Sequence, residues 1–161
     1  MRLAIVTSFL ILQVASSSAW GQTLELVAED GRVTVLSGQQ LAGLPQVTVP
    51  STSRDSAPIT LSGPSLRSLV DLAGAPSGHD LRGPRLMLAV VAEASDGYRV
   101  VFSLAEIDPG FGGANAIVAL QQDGGPLPAA EGPLRLVVAG EAHYSRWVRQ
   151  LVRLRVMMVK P

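Results

Sequence analysis

Four groups of residues in this chain have types and spacings suited to chemistry. Ser51, Thr52, Ser53 and Arg54 are consecutive, and hydroxyls beside a guanidinium suit an oxyanion or phosphate through charge-assisted hydrogen bonds. Arg135 interrupts the apolar run Leu134 to Val138, where a cation either turns outward from a strand or serves a ligand. Tyr98 follows the turn pair Asp96-Gly97 and offers both a ring to pack and a hydroxyl to bond. His143 and Tyr144, just before Arg146 and Trp147, form the most polar-aromatic corner of the chain. The chemistry these groups favour is recognition of a small anion.

Composition removes most other chemistry. The 161 residues include no Cys, which excludes disulfides, thiolate nucleophiles, zinc fingers and iron–sulfur clusters. His79 sits in the Gly-rich loop Pro76 to Gly83, far along the chain from His143, so no metal site is expected. Glu106 is explained by a cap and Asp96 by a turn, so no catalytic carboxylate pair emerges. The phosphate loop, the G-x-S-x-G elbow and H-E-x-x-H are all missing. Charge balances at 13 Lys and Arg against 13 Asp and Glu, and aromatics are only 4%; without stacking residues, nucleic acid is not an expected partner. No acidic residue follows Glu141, whereas Arg146, Arg149, Arg153, Arg155 and Lys160 do. Arg153 and Arg155 alternate with Val152, Leu154, Val156 and Met158, the pattern of a half-buried strand with a charged outer face.

The elements that must position these residues follow a leader. Met1-Arg2, the apolar run Leu3 to Val14, and the small and polar stretch Ala15 to Gly21 read as a signal peptide over residues 1–21. Cleavage after Gly21 is preferred, although cleavage after Ala19 also satisfies the small-x-small rule. The apolar run is shorter than the roughly 20 residues that cross a bilayer, and no Cys is available for a lipid anchor. The expected product is a periplasmic or secreted domain over 22–161 with no membrane anchor; removing Arg2 leaves 12 basic residues against 13 acidic.

Sixteen Gly and 11 Pro, against about 19 together at average usage, favour many turns and short strands. Leu24, Leu26 and Ala28 alternate up to Asp30-Gly31, and Val33 and Val35 alternate after it, which predicts a hairpin. Ser37 caps a short helix from Gln39 to Leu44, which Pro45 ends. Gln46 to Val49 and Ile59 to Leu61 read as strands around a polar loop from Pro50 to Pro58. Leu66, Leu69, Val70 and Ala73 define an amphipathic helix over 65–73, stopped by Gly74. Arg85 to Val91 and Tyr98 to Phe102 are strands, and Ser103 to Glu106 is a capping box opening one helical turn. Ala116 to Leu120, Leu134 to Val138 and Val148 to Val159 complete the strands. The expected class is α+β, a mixed, β-rich domain with short helices.

Several of these segments carry a resemblance in consistent order. Gly63-Pro64-Ser65-Leu66-Arg67-Ser68-Leu69-Val70-Asp71-Leu72-Ala73-Gly74 is similar to a G-x-x-L-x-x-L-L-x-x-x-G helix, and Ala94-Ser95-Asp96-Gly97-Tyr98 to an A-x-D-G-Y turn. Ala119-Leu120 with Asp123-Gly124-Gly125-Pro126-Leu127 resembles an L-A-x-x-x-x-G-x-P-L hairpin. Gly132 to Gly140 resembles G-x-P-L-R-L-V-V-P-G, and Arg146-Trp147-Val148 resembles K-W-[VI]. In this order the segments resemble the sulfite-oxidase-type molybdopterin-binding domain.

The resemblance implies a mixed α+β fold, molybdopterin as cofactor, and Arg135 as the family's arginine beside it. It also implies that a Cys thiolate should ligate molybdenum just upstream of the first helix, where this chain has Ser51 to Pro58. The chain therefore resembles a small, stand-alone member lacking the ligating Cys, with Ser51, Thr52, Ser53, Arg54, Tyr98, Arg135 and Arg146 as candidate cofactor-binding residues and no catalytic residue. The preferred reading is a non-catalytic domain that binds a small anionic or pterin-type ligand or an envelope protein. Two others stay open: an oxidoreductase subunit with a thiolate-free cofactor site, and an envelope interaction module docking through its basic last strand. Fold kinship alone does not transfer function.

Overall fold

Asp30 and Gly31 close the first hairpin, joining β1 (Thr23–Val27) to β2 (Val33–Ser37) in an antiparallel pair. Gly31 adopts a φ of 85°, a conformation open to glycine at little cost. This computed structural model describes residues 22–52, 57–141 and 143–160; the leader over 1–21, Ser53 and Arg54 lie outside the described residues.

Ser37 caps α1 (Gly38–Ala42) through a reciprocal box: its hydroxyl accepts from Gln40 N at 3.3 Å, and Gln40 Oε1 accepts from Ser37 N at 2.9 Å. The helix stops short of Leu44 because Gly43 N already closes back onto the Gln39 and Gln40 carbonyls ahead of Pro45.

β3 (Gln46–Thr52) pairs antiparallel with β4 (Pro58–Pro64) along its whole length, from Gln46 opposite Pro64 to Thr52 opposite Pro58. The expected polar loop thus begins after Thr52, and Ser51 and Thr52 belong to a strand. Pro50 is tolerated there because β3 is an edge strand, where a missing N–H breaks no ladder. α2 (Leu66–Leu72) follows with Ser65 as its cap, accepting from Ser68 N at 3.0 Å, and buries Leu66, Leu69 and Val70.

The strand expected from Arg85 to Val91 forms only in part. Gly83–Met87 is a 3₁₀ stretch opened by Pro84, and β5 (Leu88–Ala94) begins where burial begins. β6 (Arg99–Ser103) returns antiparallel after Asp96-Gly97. Glu106 accepts from Ser103 N at 3.0 Å and the Ser103 hydroxyl from Ala105 N at 3.2 Å, but the box closes turns and no helix forms ahead of Pro109. Asp108 is buried there: its carboxylate accepts from Gly78 N and Gly110 N, with Arg67 Nη1 at 3.8 Å. The remaining strands are β7 (Ala116–Ala119), β8 (Gln121–Gln122), β9 (Gly125–Pro126), β10 (Arg135–Val138) and β11 (Leu151–Met158).

Among the described residues the strands form three sheets. The largest has the order β2-β1-β11-β5-β6, with β1 and β11 parallel; the others are β3-β4-β8-β9 and β10-β7. Its inward row of Leu24, Leu26, Leu154, Val156, Val90, Ala92, Val100 and Phe102 packs on Leu61, Leu66, Leu69, Val118 and Leu136. Each such aliphatic side chain contributes about 1.5–3 kcal/mol by leaving water. A register shift between Leu151 and Arg153 breaks the alternation expected of the last strand, leaving Val152 37% exposed. Arg153 is held by Glu25 at 2.7 Å and Glu93 at 3.6 Å, so the centre of the last strand's basic face is neutralised. The architecture is α+β and strand-rich, as expected.

Candidate functional site

A cleft of about 390 Å³ lies where the β3–β4 pair, the β5–β6 turn and the segments flanking β10 converge. β10 delivers its first residue, Arg135, to the floor. Arg135 is 7% exposed, which overturns the outward-facing alternative. Its guanidinium donates to the Glu131 carboxylate and lies 4.7 Å from the centroid of the Trp147 ring, a cation–π arrangement.

The 3₁₀ turn Tyr144–Arg146 and the residues after it build the opposite wall. Trp147 Nε1 donates to the Val138 carbonyl at 3.1 Å, giving the buried indole its polar partner. The Tyr144 ring stands 4.5 Å from the Trp147 ring at an interplanar angle of 52°. Tyr98 reaches in from the β5–β6 turn and donates its hydroxyl to the Ser145 carbonyl, while its own N–H donates to Asp96 Oδ1 at 2.9 Å.

Arg149 also lines the cleft. It is exposed, and it takes part in none of the ion pairs found among the described residues. The next residue, Gln150, holds a left-handed φ of 47°, which a non-glycine residue keeps only where its surroundings enforce it. Three bonds do so: Gln150 N donates to Glu131 O at 3.0 Å, Ser95 N donates to Gln150 O at 3.0 Å, and the Ser95 hydroxyl donates to Gln150 Oε1 at 2.8 Å.

Of the candidate cofactor-binding residues, Thr52, Tyr98 and Arg135 meet in this cleft. Ser51 does not: strand alternation turns it away from Thr52, and its buried hydroxyl finds no hydrogen-bond partner among the described residues. Arg146 does not line it either. Its Nε bonds Glu141 and its Nη1 bonds Glu106, each at 2.7 Å, and its Cζ lies 4.8 Å from the Phe102 ring centroid. Glu141 and then Glu106 raise its pKa, so the charge is locked into these pairs. A 3₁₀ turn rotates successive side chains by about 120°, which separates Arg146 from the ring of Tyr144. Ser53 and Arg54 lie outside the described residues.

Sequence reasoning missed Glu131 and the cleft role of Arg149. Gly132-Pro133 conceals the pairing of Glu131 with Arg135, since no helix carries their spacing. Arg149 looked like one more charge of the last strand's outer face. Trp147 and Tyr144 did announce themselves, as the polar-aromatic corner.

Among the described residues no cluster of three or more His, Asp or Glu is placed to hold a metal ion. The thiolate-bound molybdenum implied by the sequence resemblance does not fit the donors present. The chain has no Cys, and the strand next to the expected ligand position offers the cleft only the Thr52 hydroxyl. A hydroxyl would make a different, harder site. No helix among the described residues is long and apolar enough to cross a membrane.

No family model matches the chain, and no curated protein matches it. Among solved structures it is similar to the sulfane dehydrogenase SoxCD from Paracoccus pantotrophus, with a TM-score of 0.64 at 17% identity. The match covers 87% of this chain and 39% of the SoxCD chain, so this chain spans about two fifths of that protein's length. The likeness is one of fold.

Proposed function

We propose that this chain is a non-catalytic binding domain on a sulfite-oxidase-type fold, exported to the periplasm or beyond, whose cleft takes a small planar anion of pterin type. One observation carries the reading: Arg149, outside every ion pair among the described residues, stands in a cleft walled by Tyr98, Tyr144 and Trp147. Glu131 already occupies Arg135, so Arg135 orients the indole while Arg149 is left to meet the ligand's acid group. A flat ring against the aromatic wall adds about 0.5–1.5 kcal/mol, and a charged hydrogen bond adds about 1.5–3 kcal/mol.

The test begins with elemental analysis for molybdenum and tungsten and with pterin fluorescence on protein exported through its own leader. The expected result is no stoichiometric metal and a chain beginning at Gln22, or at Trp20 if cleavage follows Ala19. Pterin-6-carboxylate is then titrated into the Trp20→Phe variant, where Trp147 is the sole indole. Saturable quenching is expected, weakened about tenfold by Arg149→Ala, which corresponds to about 1.4 kcal/mol. A stoichiometric molybdenum signal would instead support the oxidoreductase-subunit reading, which the fold likeness to a sulfane dehydrogenase favours. Absence of both metal and quenching would sink both readings.

A further inference from the structure

The outer face of the five-stranded sheet carries a charge pattern that is its own complement. Glu25 of β1 stands opposite Arg153 of β11, Arg153 opposite Glu93 of β5, and Glu93 opposite Arg99 of β6. Four neighbouring strands therefore read minus, plus, minus, plus. Arg153 reaches Glu25 at 2.7 Å and Glu93 at 3.6 Å, and Arg99 reaches Glu93 at 3.1 Å. The adjacent row on the same face runs Val33, Val27, Arg155, Val91, Val101. At its ends Val33 and Val101 are 55% and 56% exposed, while Val27 is buried and the exposed Arg155 stands at its centre.

We infer that this face is the interface of a two-fold homodimer, with its axis parallel to the strands and running between β11 and β5. That axis reverses the charged row on the facing copy. Glu25 then meets the second copy's Arg99, Arg153 meets its Glu93, Val27 meets its Val101 and the Arg155 stem crosses its Val91, while β2 lies beyond the overlap. An axis along the row would instead set like charge against like, so the pattern selects a single arrangement. Sheets stacked this way keep their strands within about 30° of each other, which preserves the match near the axis. Four strands overlap about this axis, and at about 4.8 Å apart and about six residues long they give a face of about 19 by 20 Å. That lies below the roughly 600 Å² per copy at the low end of specific interfaces, so the dimer should be weak and sensitive to salt.

Sedimentation equilibrium on the full chain, from about 5 to about 500 µM, tests the inference. The wild type is expected to dimerise in this range. Arg99→Glu and Glu25→Arg each set like charges together twice across the axis, so each variant alone should be monomeric, with dimerisation weakened at least tenfold. An equimolar mixture of the two should dimerise again, because in the mixed pair each reversed charge meets its opposite. The leader is the same in every sample, so only the sheet face differs. The inference fails if the wild type stays monomeric, if either single variant dimerises like the wild type, or if the mixture stays monomeric while circular dichroism shows both variants folded.

Discussion

Asp108 is 2% exposed, and each of its carboxylate oxygens accepts a backbone N–H, from Gly78 at 3.0 Å and from Gly110 at 2.8 Å. The first bond ties the Gly-rich loop around His79 to the turn after β6; the second shapes that turn. The Gly78 bond, then the Gly110 bond and the nearby Arg67 charge, hold the Asp108 pKa below its ordinary value against the opposing effect of burial. A carboxylate with a depressed folded pKa stabilises fully above its unfolded value of about 3.9. That contribution disappears as pH falls through the lower folded value. Asp108→Asn should therefore cost about 1–3 kcal/mol at pH 7, because a neutral amide accepts these bonds less strongly. In urea unfolding at decreasing pH, the gap between variant and wild type should close below about pH 4; a gap that stays constant would count against this account.

Gly63 shows how an element depends on one missing atom. It lies in β4 where that strand crosses β7, and a Cβ there would collide with the Val118 backbone, with Val118 C at 2.7 Å and Ala119 Cα at 2.9 Å. Gly63→Ala should destabilise by at least about 4 kcal/mol, since the clash is with backbone and not with a movable side chain. Gly31→Ala meets open space and should cost only about 1 kcal/mol from its left-handed φ. Urea midpoints of the two variants, compared side by side, check the contrast.

The same elements show what sequence could and could not reveal. α2 was legible because Leu66, Leu69 and Val70 repeat with helical spacing, and the first hairpin because Asp30-Gly31 admits few other conformations. The extension of β3 through Pro50 to Thr52 was hidden, since tolerance of a proline depends on the strand being an edge, which is a tertiary fact. Arg85 to Met87 read as strand because an unbroken apolar run has no period to separate a 3₁₀ stretch from a strand. In the cleft, Tyr98, Arg135 and the Tyr144–Trp147 corner were visible one by one. Their convergence, and the engagement of Arg146 by Glu106 across 40 positions, are products of topology that local spacing cannot carry.

At the scale of the molecule the cleft joins parts of all three sheets, with Thr52 from one, Tyr98 beside another and Arg135 from the third. A ligand held there should stabilise the whole fold and not one loop. With pterin-6-carboxylate at a hundred times its Kd, stability should rise by about 2.7 kcal/mol, a shift of several degrees in Tm for a chain of this size. Differential scanning calorimetry should show the shift lost in Arg149→Ala. A shift of equal size in that variant would place the ligand elsewhere.

The parallel pairing of β1 with β11 also governs when the molecule can come into being. Glu25 and Arg153 join positions 128 apart, and β11, last of the described strands in chain order, is central to the largest sheet. During synthesis the β1–β2 and β5–β6 hairpins each emerge with one apolar side uncovered, and an isolated hairpin is marginal in water. The strand that unites them appears only once residue 158 has left the ribosome, and closing so long a loop makes assembly slow. Until β11 is out, a nascent chain of this kind holds two uncovered hairpins and stays pliable, with its largest sheet still unmade.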